Sequence, residues 1–125
     1  MVTSVNNKCK VFTSLEQSKK LAKILPITSI DFAWCIFSDG STRLLRMDDL
    51  EVSEYAKSNV EIIPCFSLSA LLEVLPYPTL YRQRDGSWGL DVWFEQVKPY
   101  SVKNAICEID ACYEMILKLH DLKLL

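Results

Sequence analysis

Apolar and polar positions alternate along this chain in an order that is written twice. Leu15, Leu21, Ala22 and Leu25 recur at helical spacing up to Pro26, and the β-branched and aromatic run Phe32 to Phe37 then leads into Ser38-Asp39-Gly40-Ser41. Leu68, Leu71, Leu72 and Leu75 repeat the helical stripe up to Pro76, and Thr79 to Arg84 runs into Asp85-Gly86-Ser87. Helices need starts as well as stripes. Thr13 or Ser14 can cap the first, with Glu16 and Gln17 each three residues after a candidate cap, and Ser67 can cap the second.

Asp-Gly at the centre of each turn predicts a type I′ hairpin, in which both central residues take positive φ. With Ser38 facing Ser41, Trp34 stands opposite Leu45 and Phe32 opposite Met47, while Cys35, Leu44 and Arg46 share the reverse face. Both faces are then substantially covered. With Arg84 facing Ser87, Tyr81 stands opposite Leu90 beside Trp88 and Val92 on the core side. The reverse side then carries Leu80, Arg82, Arg84, Asp91 and Trp93. From Ser101 to about His120, the apolar positions Ala105, Ile109, Cys112, Tyr113, Ile116 and Leu119 predict one long helix packed on a sheet.

The resulting expectation is a single α+β domain over 1–125, arranged αββ-αββ-α on an antiparallel sheet. A polar lead-in covers 1–13 and a first helix–hairpin unit 14–47. An acidic connector or short helix follows at 48–59, then a second unit at 60–97 and the terminal helix at 101–121. Two readings of the repetition stay open. It is either a duplication, or the recurrence of a common turn in a common unit.

Composition narrows the function. Half of the 125 residues are hydrophobic and 24% are charged, which excludes wholesale disorder and leaves apolar surface for self-association, so a homo-oligomer is expected. The net charge of −2 excludes a general nucleic-acid binder, which would carry a basic face. The five scattered cysteines form no CxxC pair, a pattern of reduced, cytoplasmic usage. The apolar stretches are too short to span a bilayer, and the first thirteen residues lack the apolar core of a signal peptide.

Catalytic chemistry finds little support. Cys65 stands before a helix start, where backbone N–H groups could lower a thiol pKa, but IIPCF is an apolar setting and His120 is the single imidazole. A buried structural cysteine is the expectation. Cys107 and Cys112, five apart on a helix, point in different directions. Asp48, Asp49, Glu51 and Glu54 have no histidine near them and read as a solvated segment. With three glycines in all, there is no phosphate-cradling loop, and no metal or cofactor is expected.

The arginines are the remaining signal. All four, Arg43, Arg46, Arg82 and Arg84, fall beside the two turns. Arginine grips phosphate or carboxylate bidentately, and a neighbouring aromatic stacks on a ring, so Arg82, Arg84 and Trp93, helped by Arg43 or Arg46, are the expected ligand-binding set. The competing reading is a solubilising cross-strand Arg–Asp pair with Arg–Trp stacking.

The segments IIPCFSLSALLEVLP and DACYEMILKLHDLKLL resemble a family of small, uncharacterised proteins of gut Bacteroidetes and their phages and mobile elements, over most of the chain from Ser14 onward. The shared segments mark capping and packing. Where this chain has Cys65-Phe66, that family often has Ala-Trp, which argues further against a catalytic Cys65. The resemblance implies an accessory or counter-defence factor that sequesters a small phosphorylated, nucleotide-derived immune signal. The alternative is a module that binds and inhibits a host protein through its apolar surface or its acidic 48–54 segment.

Overall fold

The computed structural model describes residues 10–25, 32–46, 61–94 and 98–125. The acidic residues 48–54, Cys9, Pro26 and Met47 lie outside these. The chain divides into two compact units, Ser14–Phe66 and the remainder, Met1–Thr13 with Ser67–Leu125.

The first unit contains α1 (Leu15–Leu21), β1 (Phe32–Ile36), β2 (Thr42–Arg46) and β3 (Glu61–Cys65). Ser14 is the cap that acts. Its hydroxyl accepts from the Gln17 N–H at 3.2 Å, and Gln17 Oε1 accepts from the Ser14 N–H at 3.1 Å, which satisfies two otherwise orphan donors. The helix is shorter than its apolar stripe: it ends at Leu21, and turns carry the chain to Leu25. Leu21 and Leu25 are buried. The strands form an antiparallel sheet ordered β2-β1-β3. Ala33 and Cys35 are fully buried, with Phe37 and Leu45 packed against them. Ile63 and Cys65, paired with Trp34 and Phe32, are buried on the reverse face.

The second unit contains α2 (Leu68–Val74), β4 (Thr79–Arg82), β5 (Trp88–Val92), β6 (Tyr100–Ala105) and α3 (Glu108–Asp121). Ser67 caps α2 through the Ala70 N–H at 3.2 Å. Leu75, just before Pro76, is extended at φ −87, ψ 137, as the proline ring requires of its predecessor. The sheet runs β4-β5-β6, and α3 packs on β5, β6 and α2. Ile109, Ala111, Cys112, Met115, Ile116 and Leu119 form its buried stripe, and each large apolar side chain so buried contributes about 1.5–3 kcal/mol. Glu108 and Asp110 in the first turn and Lys118 and His120 in the last complement the helix dipole. Lys10 pairs with Asp110 at 2.8 Å.

Four expectations are corrected. Both hairpin turns are three-residue loops with a glycine bulge: Gly40 N–H donates to the Phe37 carbonyl and Phe37 N–H to the Ser41 carbonyl, each at 2.9 Å. The second turn repeats this with Gly86 to Gln83 at 3.0 Å and Gln83 to Ser87 at 2.8 Å. Among the turn residues only Gly40 (φ 90) and Gly86 (φ 89) take positive φ, so the aspartates do not adopt type I′ geometry.

The extra loop residue shifts both registers by one, and a one-residue shift moves side chains to the other face. Trp34 therefore faces Leu44, Phe32 faces Arg46, and Cys35 faces Arg43. In the second hairpin Gln83 meets Ser87, Arg82 faces Trp88, Leu80 faces Leu90 and Tyr81 faces Gly89. Leu80 and Arg82 thus share the face of the buried Leu90 and Val92, whereas Tyr81, expected in the core, lies half-buried on the reverse face with Asp91.

The third correction is β3, which pairs with β1, so residues 61–65 complete the first sheet. The fourth is β6. Residues 100–105 form a strand where a helix was expected from Ser101, bulged against β5 between the Trp88–Ala105 and Leu90–Val102 pairs, with Asn104 at φ 63.

The two hairpins also differ in placement. At equivalent turn-relative positions Ala33 and Cys35 are buried in the first, whereas Thr79 is exposed and Tyr81 half-buried in the second. The central strand of the first sheet is the leading hairpin strand, β1; that of the second is the trailing one, β5. The turns match while the packing around them does not.

Candidate functional site

Side-chain chemistry gathers at the first hairpin. Phe37, Ser41 and Arg43 fall on one face of the sheet, because Phe37 bonds across to Ser41 and Arg43 pairs with Cys35 two residues further on. With Ser38 and Asp39 of the turn they line an open cavity of about 520 Å³. The Asp39 carboxylate is anchored: it accepts from the Ser41 N–H at 2.9 Å and the Ser41 hydroxyl at 2.6 Å. Those two bonds, the hydroxyl's first, hold its pKa below the ordinary carboxylate value. Arg43 is exposed and makes no ion pair among the described residues. A guanidinium, an aromatic ring, two hydroxyls and a fixed carboxylate around one opening can receive an anionic group, a ring and a sugar-type hydroxyl.

The other expected site residues are distributed differently. Arg46 ends β2 on the face opposite Arg43. Arg82 ends β4 with its guanidinium 5.5 Å from the centre of the Trp88 ring, a cation–π contact, and thereby stacks on Trp88 instead of Trp93. Arg84 is exposed within the turn. Trp93 lies just past β5, half-buried, and its backbone N–H donates to the Pro76 carbonyl at 3.2 Å. Asp91 is on the face opposite Arg82, so no Arg82–Asp91 cross-strand pair forms. Of the five, Arg43 alone lines the first-hairpin cavity. Phe37, Ser38, Asp39 and Ser41 were not marked by sequence reasoning. The sequence signal near them was the Asp-x-Ser spacing, which lets Asp39 accept from Ser41 two residues on but leaves the loop length, and hence the face, open.

Among the described residues, burial disfavours the thiolate at all four cysteines. Burial pushes Cys65 and Cys112 up to about 12 and also raises Cys35 and Cys107. Cys65 and Cys112 are 2% and 0% exposed. Among the described residues, no group of three or more His, Cys, Asp or Glu side chains is placed to hold a metal ion, and no helix is long and apolar enough to cross a membrane. In comparisons with protein-family models, curated proteins and solved structures, nothing matches the chain.

Proposed function

We propose that this protein is a non-catalytic binder that sequesters a small phosphorylated, ring-containing ligand at its first hairpin. The observation that carries the reading is Arg43, an exposed guanidinium with no ion pair among the described residues, on the wall of a cavity shared with the Phe37 ring and the Ser38 and Ser41 hydroxyls. Phosphate pairs with the guanidinium, a base or similar ring packs on Phe37, and Asp39 accepts from a ligand hydroxyl. The raised thiol pKa values favour capture over turnover. The resemblance to phage and mobile-element proteins supports a counter-defence role, in which the captured molecule is a nucleotide-derived signal.

Calorimetry with linear and cyclic nucleotides and ADP-ribose derivatives tests the reading. Arg43→Ala should weaken binding by about 1.5–3 kcal/mol, and added salt should weaken the parent complex. Arg82→Ala, Arg84→Ala and Trp93→Ala report on the second hairpin in the same titrations. If no nucleotide binds, or if Arg43→Ala binds as tightly as the parent, the first-hairpin site is wrong. Mass spectrometry of protein purified from phage-infected cells would identify a retained ligand.

A further inference from the structure

We infer that the free edge of β2 is a strand-addition site for an extended acidic peptide. In the order β2-β1-β3, β2 is paired on one side only among the described residues. The Phe37–Ser41 bond sets the alternation of the ladder, so Arg43 and Leu45 turn their backbone groups toward β1. Thr42 and Leu44 turn theirs outward. Thr42 and Arg43 are exposed, and Leu44 is 37% exposed. An outward row of N–H and C=O groups is a template for another strand.

The other three sheet edges carry features that block such pairing. On β3 the bonded pairs to β1 include Trp34–Ile63 and Phe32–Cys65, so Pro64 occupies an outward position and offers no N–H there. β4 is four residues long and is entered through Pro78. β6 is bulged at Asn104, whose N–H is taken by Gln83 Oε1 at 2.6 Å. β2, Thr42-Arg43-Leu44-Leu45-Arg46, has five residues and neither proline nor an internal bulge.

Charge selects the occupant. The strand carries two arginines and no acidic residue, so a second copy of β2 would bring like charges together. A partner with acidic residues opposite Arg43 and Arg46 and apolar ones opposite Leu44 and Leu45 complements the four positions from Arg43 to Arg46. The edge shares Arg43 with the cavity wall, so this inference rests in part on that residue being accessible, whereas Leu44 lies on the face opposite Arg43 and Phe37 and its outward backbone groups belong to the edge alone.

The test uses two fluorescein-labelled ten-residue peptides with Glu-Val-Val-Glu or Lys-Val-Val-Lys at the centre, together with amide hydrogen exchange read by NMR. The Thr42 and Leu44 amides should exchange fast in the unbound protein, and the acidic peptide should bind, slow their exchange and dissociate as salt rises. Leu44→Pro removes an outward N–H without touching the β1 ladder and should reduce affinity at least tenfold. Equal binding of the lysine peptide, full binding to a folded Leu44→Pro, or unchanged Thr42 and Leu44 exchange at peptide saturation would each overturn the proposal. So would protection of those amides by self-association without peptide. Should Leu44→Pro fail to fold, the exchange measurement on the parent protein decides alone.

Discussion

The Tyr81 ring lies across the backbone of Gly89. A Cβ at residue 89 would stand 2.6 Å from the Tyr81 hydroxyl oxygen, so the ring occupies space that only glycine leaves open. That hydroxyl lies close enough to the Asp91 carboxylate for its charge, after burial, to raise the Tyr81 pKa, and Asp91 accepts from Ser101 Oγ at 2.7 Å. The three side chains knit β4, β5 and β6 across the face of the sheet opposite the buried Leu90 and Val92.

Gly89→Ala should therefore destabilise the protein by about 1–3 kcal/mol through overpacking. Removing the ring removes the conflict: in a Tyr81→Ala background the same alanine should cost much less, a coupling measurable by a double-mutant cycle in urea. Additive effects would show that the ring does not rest on Gly89.

The turns carry a second prediction. Gly40 and Gly86 hold φ near +90°, where a β-branched residue is strained, whereas Asp39 and Asp85 do not take positive φ. Gly40→Val and Gly86→Val should each lower stability, by about 1–3 kcal/mol. Asp85, like Asp39, owes its lowered pKa first to the serine hydroxyl and then to the serine N–H two residues on. Ser87→Ala should move the Asp85 carboxyl back toward its ordinary value in an NMR titration while Asp39 stays put.

These local bonds explain what was legible in the sequence. Ser14, Ser67 and the Pro76 stop each act within one helical turn of the chain, and the α3 stripe recurs turn by turn, so their residues identified them. The hairpins were identifiable but their registers were not, because Asp-Gly serves both a two-residue turn and a three-residue loop, and one residue decides which face Tyr81 and Arg82 occupy. β3 was hidden by Pro64, tolerated because it sits on an edge. β6 was hidden because Ser101 and Ala105 fit a helix start as well as a strand, and the Asn104 bulge that distinguishes them is held by Gln83, 21 residues earlier. Arg43 stood out by residue type. Its cavity depended on the register.

The buried thiols predict alkaline instability. Cys65 and Cys112 are raised from an ordinary value near 9 to about 12 in the fold, so the native state keeps protons that the unfolded chain gives up. Their contribution is intact below about pH 9 and is lost between about pH 9 and 12, with a slope of up to about 1.4 kcal/mol per pH unit for each thiol. Burial first, and then the Asp91 charge, raises Tyr81 in the same sense. Urea unfolding at pH 7, 9 and 10.5 should show the fall, and Cys65→Ala should flatten it. Rapid labelling of Cys65 near neutral pH would contradict its burial.

The terminal helix makes two predictions of opposite sign. Ile116 is fully buried in the α3 stripe, so Ile116→Asp places an unpaired charge among apolar neighbours and should cost more than about 4 kcal/mol. Six residues past the mutated apolar core position, at the mouth of the helix, lies Leu122, the C-cap, and Lys123 follows it at φ 60. Lys123 N–H donates to the His120 carbonyl at 2.9 Å and Leu124 N–H to the Leu119 carbonyl at 2.8 Å, the bonding of a Schellman cap, in which glycine is the usual left-handed residue. Lys123→Gly relieves the Cβ strain and should raise stability by about 0.5–1 kcal/mol, despite removing a cation from the helix end. Thermal melts of the two variants should move in opposite directions from the parent. A destabilised Lys123→Gly would mean that the lysine charge at the helix terminus outweighs the backbone strain.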